Sequence, residues 1–476
     1  MWNRLRHALG FDKRRSFDAA GGGRRWENAR TVESLNAAIL AGASVSARRA
    51  GYYARNNPWV AAAVQGLVAN AVGTGIKPRS RHPDPDVRAR LHGLWNRWTD
   101  KADASGLTDF YGMQALAMRA MAESGEIFAR LRVMDDGSAA VPLRLELLDL
   151  NQVPLTLNSD IGNGARIRAG IEFNALGQRV AYHVYNNRPD DPLSPMALDV
   201  VRLPAADVIH LFNPLAPGQL RGITWLAPIL LRLHELDQYE DAALVKAKVA
   251  ALFTGFIRDP DGTVAGLNNG SGVNGVLQVG MEPGSLIPLP PGADIQFSDP
   301  ADPGDYGAYV KNHIRAIASG LGLPYELVSG DLEGVTYSSI RAGLVEFRRR
   351  VEQLQHSVLV FQFCRPVWER FVRMAALEGA IPAHDFDRDP DAYLACDWLP
   401  PKWDWVDPLK DARAEIEQIR AGLKSRSQSI AERGYDSEEV DAAIASVLAR
   451  EEELGLVFDT SPVAAIEEGA PSNANP

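Results

Sequence analysis

The sequence predicts an α+β protein with a mixed helix-and-sheet body and several long helices. Three observations carry that prediction. Helical periodicity dominates up to about Arg130, and runs that alternate with period two follow between 127 and 185. Two further helical stretches are then separated by an insertion rich in Gly, Pro and Asn. With 476 residues, 46% hydrophobic and 23% charged, the chain can build a large core and more than one domain.

Residues 1–35 read as a flexible basic arm, with Lys13-Arg14-Arg15 and Gly21-Gly22-Gly23-Arg24-Arg25 supplying charge and freedom rather than a core. Pro58 stands where a helix begins, ahead of the uncharged run Trp59 to Ile76. That run is rich in Ala and Gly and holds Gln65 and Asn70, so it predicts a packed, partly buried helix rather than a membrane span. Asp86 to Trp98 predicts a second helix with Val87, Leu91, Leu94, Trp95 and Trp98 on one side. Residues 127–133, 143–147 and 180–185 predict strands of a mainly antiparallel sheet, with turn signals at Asp135-Asp136-Gly137 and Leu176-Gly177-Gln178.

A long helix is expected from about Gly222 to Phe253, because Leu226, Ile229, Leu230, Leu233, Leu236, Tyr239, Ala243 and Ala247 recur every three or four residues. Residues 254–305 predict a small strand-and-loop insertion, and a shorter helix runs from about Tyr306 to Leu321, stopped by Gly322 and Pro324. Ile340, Leu344, Phe347, Val351, Leu354, Val358 and Phe361 form a heptad-like stripe on a helix that Ser338 and Ser339 can cap. Pro366 should kink this helix, and Gly379 can end it. A bridge rich in Trp and Pro (398–405) leads to two or three acidic helices between Pro408 and Gly455, and the tail from Asp459 is expected to be disordered.

The net charge of −10 argues against broad, tight DNA gripping, which needs Lys and Arg against phosphates. It suits a surface that DNA slides past. Two cysteines, Cys364 and Cys396, make no disulfide framework and point to a reducing compartment. The basic start Met1 to His7 lacks a following apolar run, so no signal peptide is expected, nor any membrane association.

No constellation points to catalysis. G-x-x-x-x-G-K-[ST], H-E-x-x-H and G-x-S-x-G are absent, and no histidine stands at i, i+4 to another. Gly270 to Gly275 matches G-x-G-x-x-G, but a strand-like run follows it where a dinucleotide site needs a helix. Asp135-Asp136 and Asp190-Asp191 sit at turn signals. No catalytic residue, metal or cofactor is expected. The alternative is a metal-dependent DNA-processing nuclease, which rests only on abundant carboxylates and the basic arm.

Three stretches together carry a resemblance. They are Arg55-Asn56-Asn57-Pro58-Trp59 with Val72-Gly73-Thr74-Gly75-Ile76; Gly218 to Pro228 leading into Leu236 to Ala242; and Gly322 to Leu327 with Tyr337 to Arg341. Trp405 to Lys410 adds a fourth. In order and spacing over residues 48–455 the chain resembles the lambda-family phage portal proteins. The resemblance implies a ring oligomer, usually of twelve subunits, at one vertex of the virion capsid, with assembly in the host cytoplasm. It implies the portal fold with an α/β wing (36–221), a two-helix stem (222–253 and 305–322) around a small β-containing clip (254–304), a tunnel loop and long kinked wing helix (323–400), and an α-helical crown (401–458).

The implied partners are the double-stranded DNA in the channel, a separate terminase motor, head-tail completion proteins, and the major capsid and scaffold proteins. Gly330, Asp331, Leu332, Glu333, Gly334, Val335 and Thr336 become the tunnel-loop candidates, and Lys246, Lys248 and Arg341 the candidates for basic rings facing DNA.

Overall fold

The computed structural model describes residues 34–135, 137, 139–189, 191–193, 199–252, 256–258, 287–289, 306–401, 408–456 and 458. Residues 1–33 of the basic arm, the Gly270 to Gly275 stretch, most of the insertion and the tail from Asp459 lie outside them, while Ser34 and Leu35 already belong to the start of the first helix. Asp136 and Asp190 also lie outside the described residues.

Helix α1 (Leu35–Asn56) is followed by α2 (Pro58–Ala71). Asn57 sets the break between them: its side chain accepts from the Val60 amide at 3.2 Å, and Pro58 takes the first helical position. Strand β1 (Lys77–Ser80) leads to α3 (Pro85–Thr99), which Asp84 caps. Helix α4 (Phe110–Ser124) is capped by Asp109 and ends at Gly125. Leu91, Leu94, Trp95 and Trp98 of α3 are buried as their spacing predicts, and Val87 is partly buried.

The strands build two antiparallel sheets. In the first, β2 (Glu126–Val133) lies between β3 (Leu143–Leu148) and β9 (Val208–Phe212). The second is a meander in the order β4 (Ser159–Gly162), β5 (Ala165–Arg168), β6 (Ile171–Phe173), β7 (Arg179–Tyr185) and β8 (Val200–Pro204). The three expected strands are therefore present and antiparallel.

The long helix α5 (Leu230–Leu252) starts eight residues later than its periodicity suggests. Residues 222–224 are irregular and 225–229 form turns instead, with the Thr224 hydroxyl accepting from the Leu226 amide at 3.1 Å and Pro228 unable to donate within a helix. In the described part of the insertion, β10 (Phe256–Arg258) pairs in parallel with β11 (Ile287–Leu289). Helix α6 (Tyr306–Leu321) has the bounds that the sequence predicts, and a short α7 (Tyr325–Ser329) follows.

Helix α8 (Tyr337–Leu354) continues through Gln355–Cys364 into α9 (Arg365–Leu377). The middle segment is π-helical: the Arg365 amide donates to the Val360 carbonyl, five residues back. This wider ladder lies immediately ahead of Pro366, which has no amide to donate, so the proline's effect is absorbed by a π segment. The register shifts with it. Phe361, expected on the buried stripe, is exposed, while Leu359, Val360, Phe363 and Cys364 are buried.

Short helices α10 (Ala383–Arg388) and α11 (Pro390–Leu394) then lead to β12 (Cys396–Leu399), which pairs antiparallel with β1. Helices α12 (Pro408–Arg420), α13 (Arg426–Glu432) and α14 (Ser437–Leu454) complete the described chain. The main core joins α2, α3, α4, the first sheet and the α8–α9 rod. A second cluster joins α1, α2, α5 and α6, and a third lies between the two sheets.

Candidate functional site

The candidate site is the pair α5 and α6 with the loop 330–336 beside it. The two helices run antiparallel. Ile229, Leu233 and Leu236 pack with Ile317 at one end, while Tyr239 meets Tyr306 and Tyr309 further along, with ring centroids 5.9 and 4.3 Å apart. Tyr309 in turn packs on His313 at 4.4 Å.

The base of α5 is fixed to α1 and α2. Leu233 and Leu236 are buried against Ala50, Tyr53, Val60 and Val64, and Asn57 donates to Asp237 at 3.0 Å. Beyond Tyr239, α5 continues for thirteen residues, about 20 Å at 1.5 Å per residue. Along that stretch Leu244, Val245, Lys246 and Lys248 are exposed. The acidic half lies nearer the base, where burial and then the Asp237 and Asp241 charges raise the Glu240 carboxyl.

The loop 330–336 connects α7 to α8, and Asp331 fastens its near end. One carboxylate oxygen accepts from Lys311 Nζ of α6 at 2.7 Å and from the Tyr325 hydroxyl at 3.1 Å. The other accepts from the Glu333 amide at 2.9 Å. These donors, Lys311 first, hold the Asp331 carboxyl down to about 2. Gly330 has φ +68, a left-handed conformation that favours glycine. Leu332, Glu333 and Gly334 are exposed beyond the fastening, as is Thr336.

Arg341 lies elsewhere, on α8. It faces Asp411 of α12 at 3.7 Å across a cleft of about 1520 Å³ between the α8–α9 rod and the C-terminal helices. The two lysines stand two residues apart on α5, a spacing that turns them to different sides of the helix, and Arg341 is not brought to either.

Behind the α5 base lies a buried charge cluster that the sequence reading missed. Arg221 is fully buried, and its guanidinium makes four hydrogen bonds besides its ion pair with Glu126. Its Nε donates to Glu126 at 2.7 Å, and its terminal nitrogens reach Glu126 at 2.6 Å and the carbonyls of Leu150, Val153 and Ala169. Glu126 also accepts from His210 Nε2 at 2.8 Å and from the Gly222 amide at 2.7 Å. Arg179 approaches His210 Nδ1 at 3.4 Å, so Nδ1 is the acceptor and the ring is neutral.

Burial works to raise the Glu126 carboxyl, but the Arg221 charge and the two side-chain donors outweigh it and hold it at about 2. Burial drives His210 down to about 4 against the pull of Glu126. The cluster clamps 218–226 onto β2. Packing there is tight: a Cβ on Gly222 would stand 2.2 Å from the Gly125 carbonyl oxygen. No sequence signal pairs Gly125 with Gly222, which stand 97 residues apart.

Cys364 is buried and Cys396 half-buried, and burial pushes both thiols up. Among the described residues no group of three His, Cys, Asp or Glu side chains is placed to hold a metal ion. No helix of the described residues is long and apolar enough to cross a membrane.

Comparison with known proteins gives the chain its place. It is 28% identical over 412 residues to a probable portal protein of Halomonas phage phiHAP-1, covering 82% of this chain and 77% of that one. It is 24% identical to portal protein B of Escherichia phage lambda, covering 92% and 89%, and 24% identical to the portal protein of Escherichia phage N15, covering 86% and 85%. Among solved structures, a chain in the neck of a native gene transfer agent particle matches with a TM-score of 0.42 and 16% identity, over 80% of this chain and 91% of that one. Residues 22–355 match the family model described as phage portal protein, lambda family. With that model spanning most of its length, the chain belongs to the lambda family of phage portal proteins.

Proposed function

We propose that the protein acts as one subunit of a ring, usually of twelve, at the capsid portal vertex. The ring is the conduit for DNA packaging and ejection and the docking platform for the terminase and the head-tail completion proteins. Its further partners are the major capsid and scaffold proteins, and it assembles in the host cytoplasm. Its work is mechanical and electrostatic rather than catalytic, with ATP hydrolysis supplied by the separate motor.

The observation that carries this reading is α5. It leaves the body for about 20 Å with Leu244 and Val245 exposed beside Lys246 and Lys248. Apolar side chains left exposed among the described residues suit burial against neighbouring subunits, and two cations beyond the acidic stretch Glu235 to Asp241 suit brief contact with passing phosphates. On this reading residues 36–221 are the wing, α5 and α6 the stem, 254–304 the clip, 330–336 the tunnel loop, the rod through Pro366 the long wing helix, and 401–458 the crown. Arg341, paired across the cleft, contributes to holding crown to wing.

Electron microscopy of the purified full chain tests the ring. Annular particles with a central hole are expected, and a strict monomer at high concentration would overturn it. The change Lys246→Ala with Lys248→Ala is expected to leave the annulus intact and to lower the DNA packaged or retained per head. Any contact is repeated around the ring, so a weak one multiplies. Unchanged DNA content would remove the two lysines from the channel contact.

A further inference from the structure

We infer that Lys311, Arg315 and Tyr325 form a binding site for a phosphate of the DNA backbone, and that Asp331 occupies it as an internal stand-in until DNA displaces it. This rests on the conduit reading above.

Lys311 and Arg315 are four residues apart on α6 and therefore share one face. Both lie over the Tyr325 ring, with Lys311 Nζ 5.6 Å and the Arg315 guanidinium 5.4 Å from its centroid. Two like charges at this spacing repel each other unless an anion bridges them. Asp331 meets Lys311 and the Tyr325 hydroxyl, but among the described residues no carboxylate pairs with Arg315. The site thus holds two cations and a phenolic donor around one carboxylate that satisfies only one of the cations.

A phosphate carries its charge on several oxygens and can reach Lys311, Arg315 and the Tyr325 hydroxyl together, with the guanidinium offering its fork. The exchange has a mechanical consequence. Asp331 follows Gly330, whose φ is +68, and its carboxylate joins the Glu333 amide in the exposed tip Leu332-Glu333-Gly334 to Lys311 of α6. A phosphate in its place releases the tip. Passing DNA would then unlatch the loop of the subunit it touches, and the loop would relatch once the phosphate moves on.

The test uses the full-length assembled protein, a short DNA duplex, and inorganic phosphate at matched ionic strength. Duplex affinity is read across a salt series, and loop release is read as cleavage after Glu333 by a glutamate-specific protease. Duplex is expected to speed that cleavage several-fold. Asp331→Asn is expected to speed it without DNA and to tighten duplex binding. Lys311→Gln with Arg315→Gln is expected to abolish the effect of duplex. It should also lower the slope of log affinity against log salt by about one for each phosphate that is no longer neutralised.

Duplex affinity and cleavage unchanged in the double variant would overturn the site. Cleavage that responds to inorganic phosphate but not to duplex would overturn the DNA backbone as the ligand. Either failure leaves the annulus seen by microscopy untouched, whereas failure of the conduit reading shows as its absence.

Discussion

The body around α3 and the helices α12 to α14 are both largely helical, but they are held together by different forces. In the body, Trp95 is fully buried and meets Trp98, Phe110, Trp368 and Phe371 with ring centroids 4.8 to 5.3 Å apart. Its indole N–H still finds the Tyr111 hydroxyl at 3.2 Å. Among the described residues from 408 onward no hydrophobic side chain is buried. Polar groups do the joining there. Glu415 accepts from Lys424, Ser429 and Arg433, and the unit is attached to the body by Arg79 to Asp436, Arg88 to Glu438 and Arg341 to Asp411. Burial stabilises the first region within one chain. Among the described residues the second lacks that term, and its Leu409, Ile416 and Val447 are left exposed. On the ring reading, the neighbouring crown covers them.

The largest expected effect separates the two regions directly. Trp95→Ala removes a buried indole packed among aromatic rings and is expected to cost about 3–5 kcal/mol of stability. Chemical denaturation at fixed protomer concentration measures it. Hydrogen exchange should speed up across the body, with residues 408–456 little changed. An equal loss of protection in both regions would make them one cooperative unit and break the comparison.

Acid sharpens it next. His210 is neutral in the fold with its pKa depressed to about 4, so below about 6.5 the unfolded chain takes up a proton that the folded chain refuses. Stability of the body is therefore lost progressively as the pH falls from about 6.5 to about 4. Glu126 adds a second loss: its stabilisation is complete above its ordinary value of 4.5 and disappears as the pH falls towards about 2. Thermal melting of the body against pH is expected to show the first decline, and His210→Gln to flatten it between pH 6.5 and 4. An unchanged slope in His210→Gln would remove the histidine as its source.

Elements whose signal is local were legible in the sequence. The strands at 127–133, 143–147 and 180–185 alternate, and α6 has the bounds that its stop signals give. Strand β9 was missed because Val208 to Phe212 are all buried, which removes the alternation that marks a strand. The start of α5 was misplaced because an apolar run in turns keeps a helix-like spacing. The stripe on α8 failed at Phe361 because periodicity assumes one ladder, and the segment before Pro366 has another.

The family was legible as well, since its motifs are sequence-local. The charge cluster was not: Arg221 finds Glu126 from 95 residues away and His210 finds it from 84. The Lys311–Asp331 latch joins residues 20 apart on different elements, which no spacing rule pairs.

The smallest effect is the most specific to the second region. Arg88 grips Glu438 with two hydrogen bonds, at 3.1 and 2.7 Å, and Arg79 lies 3.5 Å from Asp436. Glu438 is more than half exposed, so the attraction is open to screening, which acts over about 10 Å at 0.1 M salt. Arg88→Gln is expected to cost under about 1 kcal/mol, too little to move the melting of the body. It should nevertheless lower the salt concentration at which 408–456 gains exchange, because the remaining pairs are screened by the same ions. The Trp95 core, which burial holds, should be indifferent to the same salt series. If salt leaves the exchange of 408–456 unchanged in both the parent and Arg88→Gln proteins, attachment is not electrostatic. The apolar side chains of α12 to α14 would then have to be covered in the assembled state by a surface strong enough to hold the helices without these pairs.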